Sequence, residues 1–253
     1  MRKNRIIVLL AFVILALAVV TPALGASFSN RIIDEEFVVQ INGVDVKGEG
    51  NHLTPNMLFV DAIAYAELLG KEYSFDKTKM TFTINGAALD AKIYKNRPAV
   101  HVRAIAKATG AENVDWDQTV EPWVCYVLDL PDGTIGLEGN DVYAPGVPGM
   151  GQHWANPADL PTGPIFGVED GKLIFIEQMI SKEFFVNGET IVDIPGMKGV
   201  PSPPIVHTDI ELVPNGHPGF EIPHYDIHHY FVTHEEHLQF SMPPDGTTPG
   251  HGH

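Results

Sequence analysis

The hydrophobic pattern changes character once along the chain. From Phe37 to Leu130, short alternating runs take turns with runs at helical spacing. Phe37-Val-Val-Gln-Ile41, then Asn42-Gly43, then Val44-Asp-Val46 predicts a hairpin, because Asn-Gly supplies the positive φ angles of a tight turn. Phe59 to Leu69 predicts a helix that stops at Gly70. Lys79 to Ile84 predicts a strand leading into a second Asn-Gly, Asn85-Gly86. Ala99 to Ala108 then predicts a second helix, closed by Gly110. The helical pieces Val60 to Gly70 and Val100 to Gly110 match at an offset of 40, and Phe75-Asp76 and Trp116-Asp117 follow at an offset of 41. The pattern predicts an α+β domain made by internal duplication of a strand-helix-strand unit.

After Asn140 the long regular signals are β. Pro164 to Val168, the turn Glu169-Asp-Gly171 and Lys172 to Ile180 predict a hairpin whose second strand, apolar on both faces, is central. Thr190 to Ile194, Ile205 to Val213 and Tyr225 to Thr233 predict further strands, so this half reads as a mainly-β sandwich or small barrel. The expected organisation is a signal peptide at 1–25, a linker at 26–36, the α+β domain at 37–130, a turn-rich linker at 131–148, a β-rich domain at 149–240 and a Pro/Gly/His tail at 241–253.

Composition sets the compartment and excludes whole classes of partner. Arg2, Lys3 and Arg5, the uncharged run Ile6 to Val20 and the small residues before Ala26 form an export leader too short for a stable membrane span. Without it, 13 Lys and Arg face 32 Asp and Glu. That balance rules out a general grip on nucleic acid, which needs clustered cations. The expected location is secreted or extracellular and associated with the cell envelope, with an envelope component or protein as partner and oligomers allowed. A lone cysteine, Cys125 in an apolar run, makes no intramolecular disulfide and is expected to be buried. Trp116 is expected in the core, Arg103 to pair with Asp117, and His52 and His101 to carry no function.

Ten of the 12 histidines follow Asn140. His224, Asp226 and His228 alternate along a predicted strand and share one face, leaving Tyr225, Ile227, His229 and Phe231 for an apolar core. Glu177 falls between Phe175 and Met179 on a central strand, where an unpaired carboxylate is costly and needs a cation, a hydrogen-bond partner or a proton. With His153, expected in a loop, these residues define a candidate metal set of His153, Glu177, His224 and His228 for a divalent transition ion (Zn, Fe, Mn, Cu or Ni). Asp226 is expected to orient an imidazole. The same pattern also fits a hydrogen-bonded cluster without metal, with Glu177 paired to Lys172. His229, His234 and His237 are expected at the surface, and the terminal Gly-His-Gly-His is at best a weak scavenger of metal.

Two resemblances add to this reading. Ile41-Asn-Gly43, Arg97 through Ala111 and Val114-Asp-Trp-Asp117 resemble the copper amine oxidase N-terminal-like, or stalk, domain of secreted bacterial proteins. That resemblance implies an extracellular accessory module, without the copper centre of the oxidases' catalytic domain. Gly149-Met-Gly-Gln-His-Trp154, Gly171 through Ser181 and Pro223 through Tyr230 resemble an uncharacterised domain family of secreted bacterial proteins, which implies no activity. Three functions follow. The chain is a secreted two-domain binding protein whose β-rich domain holds a divalent metal or small polar ligand through its His/Glu cluster, the first module serving attachment. Alternatively it is an extracellular metalloenzyme, hydrolytic or oxygen-using, with Glu177 as ligand or general base. The third is a structural envelope protein without metal.

Overall fold

The computed structural model describes residues 32–241; the expected leader and the tail after Ser241 lie outside them. Strand makes up 41% and helix 13% of the described residues, which are mainly β. The elements of the first half are β1 (Phe37–Ile41), β2 (Val44–Asp45), β3 (His52–Thr54), β4 (Met57–Asp61), α1 (Ala62–Leu68), β5 (Tyr73–Asp76), β6 (Thr81–Ile84), β7 (Ala87–Tyr94), β8 (Arg97–His101), α2 (Val102–Thr109), β9 (Asn113–Asp117) and β10 (Trp123–Leu128). Those of the second are β11 (Ile135–Gly136), β12 (Gln152–Ala155), β13 (Ile165–Glu169), β14 (Lys172–Ser181), α3 (Lys182–Asn187), β15 (His207–Val213), β16 (His224–Tyr230) and α4 (His234–His237).

Three sheets result, ordered β3-β4-β8-β7-β6-β5, β2-β1-β10-β9 and β11-β12-β13-β14-β16-β15. The four-stranded sheet is the middle layer. Its alternating residues Val39, Ile41, Cys125 and Val127 join α1 and α2 in one core. Tyr126 and Leu128 turn the other way and pack with Trp154, Phe166, Val168 and Leu173 of the last sheet. The Tyr126 hydroxyl also accepts a hydrogen bond from the Leu173 amide at 3.1 Å. Period-two alternation in β10 therefore serves two cores at once.

The tight turns form where their residue types predict them. Asn42, Asn85 and Asp170, with Gly43, Gly86 and Gly171 after them, take positive φ as two-residue hairpins demand. The two helices begin later than their periodicity suggests. Phe59 to Asp61 and Ala99 to His101 belong to β4 and β8, which pair with Val60 opposite Val100. The Asp61 side chain accepts from the Ala64 amide and starts α1, while Gly110 in left-handed geometry ends α2.

Other expectations change. The segment 190–194 forms no strand; Val192 is exposed, and Pro195, Pro201, Pro203 and Pro204 deny the following stretch a ladder of donors. Residues 131–148 are folded onto the last sheet: β11 pairs with β12, and Val142 is buried against Trp154. Within 26–36, Ile33 bridges to Leu53 and Asp34 accepts from the Tyr94 hydroxyl. Arg103 donates to the Val114 carbonyl at 2.7 Å, the backbone of β9, in place of an ion pair with Asp117. Trp116 is half-buried between Phe37 and Trp123. Cys125 is buried, which pushes its thiol up to about 12 and leaves it inert.

Gly167 on β13 faces Phe175 so closely that an added Cβ would overlap the ring. Phe175 is fully buried and meets His228 and Tyr230 edge-on. Gly167→Ala is expected to destabilise the protein by about 2 kcal/mol through overpacking. Urea unfolding would check this; an unchanged midpoint would show that the ring has room to move.

Candidate metal centre on the last sheet

One face of the last sheet packs on the middle layer at its Trp154, Phe166 and Leu173 end; the other carries the chemistry. The register aligns side chains in rows across the strands. Glu177 stands opposite His228, which stands opposite Asp209. The adjoining rows are Phe175, Tyr230 and His207 on one side and Met179, Asp226 and Glu211 on the other. The sequence expectation for β16 is inverted: His224, Asp226, His228 and Tyr230 face inward and are buried, whereas Tyr225, Ile227 and His229 are only half-buried. Loops and α4 cover the polar face, so it becomes an interior.

Of the proposed set, three members meet around one carboxylate. His153 lies on β12 rather than in a loop, paired with Gly167, and its Nε2 is 3.8 Å from Glu177 Oε2. His228 Nε2 is 3.6 Å from Glu177 Oε1, and its Nδ1 is 3.7 Å from Glu211 Oε2. His224 is elsewhere. Its Nε2 sits 3.1 Å from Asp226 Oδ1 and 3.3 Å from His217 Nε2. Asp226 thus touches an imidazole nitrogen, as expected of an orienting group, but it also stands where a ligand would. Lys172 reaches toward Asp117 at 3.9 Å, so the ammonium partner considered for Glu177 is engaged in another sheet.

Glu177 is buried, and Oε2 has no hydrogen-bond partner. Burial pushes its carboxyl up to about 7, and the negative charges of Asp226, Glu211 and Glu138 add to the shift while His153 opposes it. Burial would lower His153, yet its contact with Glu138 at 3.2 Å and the charge of Glu177 raise it overall. Because the folded carboxyl binds its proton more tightly than an unfolded one, the folded state holds more protons between about pH 4.5 and 7. Stability from this group is therefore present at low pH and lost as pH rises through about 7. Glu177→Gln is expected to remove up to about 3 kcal/mol of that pH-dependent loss. Denaturant titrations of the metal-free wild type and variant from pH 5 to pH 8 check it; parallel profiles would contradict the assignment.

A four-donor cluster lies at the β15 and α4 end of the face. Asp209 Oδ2 is 3.7 Å from His207 Nε2, 3.7 Å from His234 Nδ1 and 3.6 Å from His237 Nε2. His234 Nδ1 and His237 Nε2 are 2.9 Å apart. All four donors lie within 4.8 Å of one another, and together they could hold a metal ion. Donors on a tetrahedral zinc ion are about 3.3 Å apart, given metal–ligand bonds of about 2.0 Å. The tautomers are set by the backbone. His207 Nδ1 meets the Val232 carbonyl at 3.1 Å and His237 Nδ1 meets the Gly149 carbonyl at 3.1 Å. A carbonyl only accepts, so both Nδ1 atoms carry hydrogen and both neutral rings turn a lone pair inward. His207 Nε2 is buried without a hydrogen-bond partner. Tyr230 packs against both the His207 and His237 rings, with centroids 4.7 and 4.3 Å away, and restrains their planes. Burial holds His237 below the usual imidazole range, which favours its neutral form.

This cluster lies outside the set of donors that the sequence pattern singles out. His237 was expected at the surface and is buried; only His234 of the helical pair is exposed, and His229 is half-buried beside Thr208. The signal was present as His207-Thr-Asp209, two donors on one strand face, and as His234-Glu-Glu-His237, two imidazoles one turn apart. His52 is buried and stacks between Phe59 and Tyr94.

No protein-family model matches this sequence, and comparison with curated proteins finds no match. Among solved structures, a hypothetical protein of Thermus thermophilus aligns at 27% identity over 38% of this chain and 89% of that one, with a TM-score of 0.33. No described helix is long and apolar enough to cross a membrane.

Proposed function

We propose that the protein is an exported, envelope-associated binding protein that holds a divalent transition metal on the histidine face of its last sheet. The observation that carries this reading is the convergence of His207, Asp209, His234 and His237, with two ring tautomers held by backbone carbonyls and a buried His207 Nε2 left for a cation. Three imidazoles and one carboxylate make a borderline donor set suited to Zn, Cu, Ni, Co or Fe rather than to Mg or Ca. Four protein donors around a tetrahedral ion close the coordination sphere, so binding and fold reinforcement suit this site better than turnover. The ion would also tie α4, a helix of four residues, to the edge strand β15.

The first half is proposed as the accessory module, an α+β unit made of two copies. Val60 and Val100 occupy equivalent places in the matching segments and face each other across β4 and β8, which supports the duplication. Metal analysis of untagged protein tests the proposal. With His251 and His253 replaced by alanine to remove the tail donors, we expect at least one zinc or copper ion per chain and a rise in melting temperature on metal addition. A chain that neither retains nor responds to Zn²⁺, Cu²⁺, Ni²⁺ or Co²⁺ would overturn it.

A further inference from the structure

We propose that His217, His224 and Asp226 form a second metal site, an open one, whose ion lies at the floor of a cavity shaped for a small carboxylate with an apolar body. The proposal rests on reading the histidine face as metal-binding, and differs from the first site in what the ion is free to do. His224 Nδ1 is 2.6 Å from the Ile222 carbonyl, and His217 Nδ1 is 3.2 Å from the Pro218 carbonyl. Both nitrogens must donate, so both neutral rings present lone pairs at Nε2. Those Nε2 atoms stand 3.3 Å apart, and Asp226 Oδ1 stands 3.1 Å from one of them. His217 Nε2, His224 Nε2 and Asp226 Oδ1 lie within 4.8 Å of one another, close enough to share one cation. The two carbonyls that set the tautomers lie in the same loop as His217, so the loop both supplies a ligand and orients the set.

Three donors leave a tetrahedral ion one position short. His217 and Asp226 line a cavity of about 450 Å³, as do Glu177 and His153. That volume is within the range of small-ligand sites. Its walls include Met150, Leu160, Ile165 and Met179, and Leu137 stands exposed on its lining. The vacant position therefore opens toward an apolar chamber with a polar floor. A divalent ion bound by two neutral imidazoles and one carboxylate keeps a single positive charge to draw a ligand carboxylate, against the negative charge of Glu138 on the same lining. Glu177 Oε2, buried and without a hydrogen-bond partner in the protein, lies on the same floor. The apolar walls then receive the ligand's hydrocarbon body.

The test uses the full untagged chain carrying His251→Ala and His253→Ala, loaded with Co²⁺, whose visible spectrum reports its coordination. Two ions per chain are expected, falling to one in His217→Ala or Asp226→Asn and to one in Asp209→Ala. Acetate, butyrate and hexanoate titrated in turn should shift the spectrum with affinity rising about fourfold per methylene. The shift should survive Asp209→Ala and vanish in His217→Ala, and Leu137→Trp should weaken hexanoate by tenfold or more while sparing acetate. A single ion retained by His217→Ala and lost by Asp209→Ala overturns the second site and leaves the first intact. Two ions with a spectrum indifferent to carboxylates, or with equal affinity across the series, overturn the ligand assignment. No ion at either site overturns both proposals together.

Discussion

Asp209→Ala is expected to weaken Zn²⁺ binding at the proposed β15 and α4 site by 100-fold or more, and to abolish the thermal stabilisation expected from zinc there. Asp209 is the one carboxylate among three imidazoles, and its Oδ2 is the atom nearest to equidistant from all of them. Removing it deletes a ligand and the negative charge that favours a cation over bulk water. Zinc at 100 times its dissociation constant should stabilise the wild type by about 2.7 kcal/mol. The variant at the same concentration should gain almost nothing from this site. Affinity should also fall as pH drops, because protons compete with the metal for imidazole nitrogen; burial holds His237 below the usual imidazole range and lessens that competition at its ring. Competition titration with a chromophoric chelator from pH 5.5 to pH 8 measures both effects. Equal affinities of wild type and variant would remove Asp209 from the site.

Asp61→Ala is expected to cost about 2 to 4 kcal/mol of folding stability while leaving metal binding intact, since it removes charge-assisted hydrogen bonds to a part-exposed Arg97 and a helix cap together. Asp61 is fully buried. Arg97 donates to both of its oxygens, through Nε at 2.7 Å and Nη2 at 3.0 Å. The amides of Gly50 and Ala64 donate at 3.1 and 3.0 Å. One side chain thereby joins the β3 approach, β8 and the start of α1. Gly48 is needed beside it, because a Cβ there would overlap the carboxylate. Asp61→Asn should keep part of the cap and lose the charge pairing, so its cost should fall between wild type and alanine. Chemical denaturation followed by circular dichroism gives the ranking, and a zinc titration on the same samples checks that the distant site is untouched. A loss under 1 kcal/mol for alanine would show that the Arg97 pair is dispensable.

Much of the local structure was legible because it depends on neighbours in sequence. Asn42-Gly43, Asn85-Gly86 and Asp170-Gly171 dictate their hairpins through φ alone, and Lys172 to Ile180, apolar on both faces, could only be a central strand. Glu177 announced itself as a buried carboxylate by interrupting that run. The helix starts were harder, since Val60 and Val100 fit either period and their pairing across β4 and β8 decided the matter. The strand expected at 190–194 does not form: β propensity counts only where a segment meets a partner, and none of the described strands pairs with it.

By itself, the sequence determined that the carboxylate, imidazoles and turns needed for a polar site lie in the second half, and that His224, Asp226 and His228 share a face. Tertiary structure alone decided which histidines meet. Metal donors must converge within a few ångströms, and convergence depends on strand register and on the loops that fold over the sheet. Register places Asp209 beside His228 and His207 beside Tyr230; α4 then returns His234 and His237 to the same edge, while the loop before β16 brings His217 to His224. The expected single cluster thus separates into His153, Glu177 and His228 at the centre, flanked by two groups that could each hold an ion. Spacing along the chain encodes which residues point the same way, but only packing between distant segments sets the distance between donor atoms.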